Sequence, residues 1–254
     1  MKKDDKHQEL IDHYAKKINS LASLGGTPRH MKVFYDAEFT SLTPCGRLIS
    51  IGIVSESGSW FYAEFNDYDE HALSEWVFDN VWSNLLYNDR ETYRVRTNVD
   101  GMYDDNQVLA NGVVYSINMK GSSEQIKKDL LKWLKNEFNA HHIIDPTINQ
   151  ICFCVDAGHY DWVLLTSLLS DDGDGLSLPR IISYAPLDIC SIMHFMGDFP
   201  LDMSREKLAG DSYTSKLKTV PPFNSRRFAK TTLKHNSLWD AVVLMFCYKR
   251  LMLK

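Results

Sequence analysis

Apolar and polar positions divide the chain into strand-like runs followed by amphipathic helices. The run "MKVFYDAEF", residues 31–39, carries Val33, Phe34 and Tyr35, side chains that suit a pleated surface. A turn-rich "TSLTPCGR" follows, then "LISIGIVS", the turn "ESGS" and "WFYAEFN". Together these predict an antiparallel meander. A mixed helical stretch is expected near "LSEWVFDNVWSNLL". Residues 88–118 are polar and hold two strand candidates, "YRVRTNV" and "GVVYSINM", which read as a hairpin-bearing insertion.

The segment "SSEQIKKDLLKWLKNEF" predicts a helix. Ser122 and Gln125 have capping-box spacing, and Ile126, Leu130, Trp133, Leu134 and Phe138 share one stripe. "NQICFCV" reads as a buried strand, "YDWVLLTSLL" as a helix beginning near Asp161, and "SLWDAVVLMFCYKRL" as a closing helix. Strands first, then alternating strand and helix, predict an α/β fold with a mixed sheet flanked by helices. Upstream, Leu10, Tyr14, Ile18 and Leu21 recur at helical spacing over residues 5–23, and "GGTP" at 25–28 reads as a linker. Residues 1–30 are therefore expected to form an N-terminal helical extension to a domain spanning 31–254.

Composition narrows the picture. Hydrophobic residues make up 44% and charged residues 24% of the 254, the balance of an ordinary globular protein. No apolar run nears the ~20 residues a membrane helix needs. "MKKDDKHQEL" has no apolar core of a secretory signal. Five scattered cysteines predict reduced thiols in a cytoplasm. A net charge of −5 excludes a bulk basic nucleic-acid coat, so any nucleic-acid site must be local.

The candidate chemistry is acidic. Asp36 and Glu38 stand two apart at the end of the first strand, so their side chains share a face. Asp161 lies at the start of one apolar helix and Asp240 within another. A lone acid there is more often a first-turn residue favoured by the helix dipole. Four carboxylates from three elements suggest more. Hard cations such as Mg²⁺ and Mn²⁺ prefer such oxygens, and paired ions about 3.5–4 Å apart are a recurrent catalytic arrangement. Cations would also relieve the repulsion between Asp36 and Glu38. His235 precedes Asp240 by five residues. An imidazole there can take a proton from a reacting water near neutral pH.

The order Asp-x-Glu, Asp, then His-x4-Asp resembles the DEDDh class of 3′→5′ exonucleases, which have an RNase H-like fold. The wording "VFYDAEF", "LISIGIVSESG", "FYAEFNDYD" and "AGHYDWVLL" is similar to the small polyadenylate-trimming 3′-exoribonucleases first described in mycobacteria. The resemblance covers residues 31–169 and 235–251. It implies cleavage of RNA, or alternatively DNA, from the 3′ end with release of nucleoside 5′-monophosphates. It further implies two Mg²⁺ or Mn²⁺ ions. Asp36 would bridge both, Glu38 and Asp240 would hold the nucleophile-side ion, Asp161 the other, and His235 would be the general base. Relatives are commonly dimers, so a homodimer is implied. Phe39 and Thr40 fall beside the terminal nucleotide, and Leu42 falls where an apolar side chain wedges between the last two bases. Ser41 departs from the pattern, standing where many relatives have glycine.

Between Ser212 and His235 the chain has no acid but carries Lys216, Lys218, Arg226, Arg227, Lys230 and Lys234. Arg226, Arg227 and Lys230 are candidate phosphate contacts for a single strand. A solvated loop is the alternative. Cys152 and Cys154, with His141 and His142 upstream, could suggest zinc, but the spacing and the apolar strand around them favour buried thiols. "SDDGDG" lacks the downstream Glu of a calcium loop and reads as a turn. A non-catalytic binding module on the same fold is the competing class of function.

Overall fold

The computed structural model describes residues 29–89, 92–98, 115–196, 200, 202–210 and 234–252. The expected helix at 5–23, its linker, and Arg226, Arg227 and Lys230 lie outside the described residues.

Strand β1, Arg29–Phe39, is an interior strand of a seven-stranded mixed sheet. It starts two residues before the apolar run because Arg29 and His30 already pair with Ile148 and Gln150. Its antiparallel partner β2, Leu48–Ser55, pairs in turn with antiparallel β3, Trp60–Phe65. This is the expected meander. After β3, a short helix α1, Glu75–Asn80, is capped by the Ser74 side chain. A 3₁₀ turn at Trp82–Asn84 follows.

The polar 88–118 stretch holds β4, Tyr93–Asn98, and β5, Tyr115–Gly121, paired antiparallel as a hairpin would be. However, β5 also runs parallel to β3. The segment is therefore an extension of the main sheet rather than an appended hairpin. Bonding to the exposed edge of β3 satisfies backbone groups that an isolated hairpin would leave to water.

Helix α2, Ser123–Ile144, begins with the capping box at Ser122 and Gln125. Strand β6, Ile148–Val155, lies parallel to β1 on its other side. Helix α3, His159–Leu169, follows it. The two-residue β7, Leu187–Asp188, pairs with β6 and leads into α4, Ile189–Met196. Helices α5, Arg205–Ala209, and α6, Ser237–Met252, complete the described chain. The strand order β4-β5-β3-β2-β1-β6-β7 is α/β and consistent with an RNase H-like sheet. Among the described residues, no helix is long and apolar enough to cross a membrane.

The alternation of β1 builds two cores. Met31, Val33 and Tyr35 pack with Ile126, Leu130, Trp133 and Leu134 of α2 and with Leu165 and Leu169 of α3. Phe34 points the other way, into a cluster with Leu238, Val242 and Met245 of α6. Asp36 and Glu38 have the parity of Phe34, so they fall on the α6 side. Helix α6 is buried around most of its circumference, as expected for a helix with apolar residues on every face. The five cysteines are free, and among the described residues Cys152 and Cys154 join no metal-ligating group.

Candidate active site

The two acids of β1 owe their position to a close approach. Asp36 is in register with Gly52, and Glu38 with Ser50. A Cβ on Gly52 would lie 2.2 Å from the Ser237 carbonyl oxygen and 2.3 Å from the Leu238 nitrogen. Only glycine lets the start of α6 rest directly on β2. The Ser50 and Ser237 hydroxyls, 2.9 Å apart in the buried interface, fix the contact. Asp240, in the first turn of α6, is thereby brought over the end of β1.

The turn before α6 holds His235. Its backbone N–H donates to Asp240 Oδ2 at 2.8 Å. Its Nδ1 lies 3.9 Å from Oε1 of Glu38, whose side chain is only 12% exposed. Ligand atoms of Glu38, His235 and Asp240 all fall within 4.8 Å of one another.

The fourth acid arrives from the opposite side of the sheet. Gly158 caps α3, and Asp161 stands in its first turn. The Tyr35 hydroxyl donates to the Asp161 carbonyl at 3.2 Å, tying that turn to β1. Ala157, just before, takes φ 51°, a conformation that side chains other than glycine seldom adopt. Positive φ therefore precedes both helices that deliver acids, at Ala157 and at His235.

Electrostatics bind the four acids into one unit. Burial, then Asp240, Asp161 and Glu38, push the Asp36 carboxyl well above the usual range. Burial, Asp240 and Asp161 do the same to Glu38. Asp161 is pushed up to about 7 by burial and by Asp156. Asp240 also rises to about 7, chiefly by burial, although the His235 N–H bond opposes the shift. Burial and the Lys234 charge lower the His235 imidazole, which keeps it neutral and able to accept a proton near neutral pH.

Among the described residues, no Lys or Arg forms a salt bridge with these four carboxylates, and Glu38 has His235 as its one ion-pair partner. Crowded carboxylates and one imidazole form a donor set that fits a hard divalent cation. Glu38, His235 and Asp240 make the tight group. Asp36 and Asp161 lie outside it but within its electrostatic reach.

The chain matches no family model and no curated protein.

The nucleotide-side candidates sit where β1 leaves the sheet. A register shift falls between Glu38 and Phe39, and such irregularities re-aim side chains beside sites. The Phe39 ring stacks on Tyr160 at 6.0 Å between centroids. Thr40 closes the turn, since its N–H donates to the Arg47 carbonyl and its hydroxyl accepts from the Arg47 N–H. Leu42 is 64% exposed, and its carbonyl accepts from the Tyr160 hydroxyl at 3.2 Å. Leu42 thus stands proud on a braced loop beside the helix that carries Asp161.

Sequence reasoning missed four contributors. Asp156, one residue past β6, presses on Asp36, Asp161 and Asp240. Its own charge is met by Arg205, whose Nε donates to Asp156 Oδ2 at 2.6 Å. Its place at the carboxyl end of a strand was the available signal. Glu206 acts on Asp240 and His235 from α5, and nothing local marks it. The Trp76 ring meets the His235 ring edge-on at 5.2 Å. Gly52 carried a readable signal, a glycine inside an otherwise apolar strand.

Proposed function

We propose that the chain is a divalent-metal-dependent 3′→5′ exonuclease of the DEDDh class, acting on RNA and releasing nucleoside 5′-monophosphates. The observation that carries the proposal is the tight group of Glu38, His235 and Asp240, with Asp36 and Asp161 within its electrostatic reach, at one end of β1 in an RNase H-like sheet. These residues come from three separate elements and from opposite faces of the sheet. A set of unrelated helix-start acids has no reason to converge there.

In this proposal Asp36, Glu38, Asp161 and Asp240 hold Mg²⁺ or Mn²⁺. When bound, these ions stabilise the charge that develops on the phosphate and lower the pKa of water. His235 accepts the proton of the attacking water. The water oxygen bonds to phosphorus as the bond from phosphorus to the 3′ oxygen of the penultimate nucleotide breaks. That oxygen takes up a proton and becomes the new 3′-hydroxyl. Phe39, Thr40 and Leu42 receive the terminal nucleotide, with Leu42 exposed enough to insert beside a base. Arg226, Arg227 and Lys230 are assigned to the phosphates upstream.

Matched RNA and DNA oligonucleotides labelled at the 5′ end test the proposal. With Mn²⁺, RNA should shorten one nucleotide at a time from the 3′ end. Excess chelator should stop the reaction, and Asp36→Ala should abolish it. Preferential digestion of DNA would move the substrate assignment. No cleavage of either polymer would sink the enzyme and leave a binding module.

A further inference from the structure

His235 adopts φ 65°, a left-handed conformation that a residue with a Cβ keeps only where its surroundings impose it. The restraint comes from a segment far away in the chain. Asn84 Nδ2 donates to the Lys234 carbonyl at 3.0 Å. The Asn84 carbonyl accepts from Asn236 Nδ2 at 2.9 Å. One residue therefore clasps both neighbours of His235. Asn84 is 8% exposed and Asn236 fully buried, so water competes poorly for these bonds.

The side-chain chemistry is specific. Asn84 Nδ2 also donates to the Asn80 carbonyl at 2.6 Å. Two carbonyl acceptors face this one group, so an amide NH₂ satisfies both where a hydroxyl or an apolar side chain would not. The far end of the clasp is anchored too. Glu64, fully buried on β3, accepts from the Leu86 and Tyr87 N–H groups at 2.6 and 2.9 Å, just past Asn84. Asn236 Oδ1 accepts from the Trp239 N–H at 3.2 Å, joining the clasp to the first turn of α6. The same segment brings Trp76, itself 56% exposed, against the imidazole.

We propose that Asn84 is a positioning residue for His235. It holds the turn at 234–236 so that the imidazole stays beside Glu38 and Asp240. The inference rests on the exonuclease proposal, in which His235 is the base. A misplacement of about 1 Å can cost roughly 10²-fold in rate, so a clasp on both neighbours of the base bears on turnover. Among the described residues, Asn84 makes no hydrogen bond or ion pair with the four acids, so it acts on the site only through the turn at 234–236, whose His235 N–H donates to Asp240 Oδ2.

The test uses the full chain with Asn84→Ala and Asn236→Ser. Serine at 236 keeps a hydroxyl to cap the helix but cannot reach Asn84. Both variants should lose about 10- to 100-fold in kcat, with KM near wild type. The second readout is the His235 ring resonance in protein labelled with ¹³C-histidine. His235→Ala assigns it, and Trp76→Ala gives its position without the neighbouring ring. Both clasp variants should move the signal toward that position. A wild-type resonance in both variants would overturn the inference, as would a moved resonance with unchanged kcat. If the wild-type chain cleaves nothing, the exonuclease proposal falls on its own. The resonance then decides whether Asn84 holds His235.

Discussion

At the residue scale, four acids stand so close that they cannot all ionise cheaply together. Asp161 illustrates the consequence for stability. Its carboxyl is raised to about 7 by burial and by Asp156, against roughly 3.9 for a free Asp. A group raised on folding adds its stability below the unfolded value, and that stability is lost as pH rises through the folded value. In chelator, Asp161 should therefore weaken the fold increasingly between about pH 4 and pH 7. Asp161→Asn should remove that dependence. Its melting temperature in chelator should exceed that of wild type at pH 8 and converge with it near pH 4. Each kcal/mol gained corresponds to about 2–4 °C in a domain of this size. Adding Mn²⁺ should reverse the order, since a ligand at 100 times its Kd stabilises by about 2.7 kcal/mol and the variant has lost a donor. Thermal scans at several pH values check both points. Equal melting temperatures at pH 8 in chelator would show that burial and Asp156 do not raise the Asp161 carboxyl.

At the element scale, the site depends on how α6 sits on the meander. Gly52 is the hinge of that contact, with helix backbone where its Cβ would be. Gly52→Ala should push the start of α6 off β2 and carry Asp240 and His235 away from Asp36 and Glu38. Overfilling a packed interface typically costs ~1–3 kcal/mol. Here the loss of stability should be accompanied by a fall in Mn²⁺ affinity, which a defect elsewhere in the core would not produce. Calorimetry beside a thermal scan reads both, and unchanged Mn²⁺ affinity in a destabilised variant would count against the docking argument. The elements themselves were legible from local pattern. The capping box at Ser122 and the stripe from Ile126 to Leu134 start α2 and bury it as expected. Strand β2 has the bounds of its apolar run. The two strands of the 88–118 stretch were legible as a hairpin, but its place in the main sheet was not. Local polarity gives no hint that β5 finds its partner in β3, because the polar side chains that join them, Ser116 and Asn118 bonding to Trp60, read in sequence as solvent-facing positions.

At the scale of the whole molecule, charge limits how a polyanion can be held. With a net charge of −5, attraction to nucleic acid must come from a local strip. Arg226, Arg227 and Lys230 are the sequence's candidates. Replacing all three with Ala should reduce the slope of log K against log salt by about 2, from about 0.7 for each phosphate contact to a single strand. Filter binding of a labelled oligonucleotide across a salt series measures the slope, and an unchanged value would return the strip to a solvated loop.

Local pattern was enough to give the alternation of strands and helices, the two-residue spacing of Asp36 and Glu38, and the placing of Asp161 at a helix start and Asp240 within the closing helix. Those features are written in periodicity and capping, which act over a few residues. It took the packed molecule to bring the acids together, to press Asp156 and Glu206 on them, and to clasp the turn of His235 with Asn84. Each of these depends on backbone approach between segments far apart in the chain, as at Gly52 against Ser237. Such an approach is set by how two cores pack on opposite faces of one sheet, and no local pattern encodes that distance.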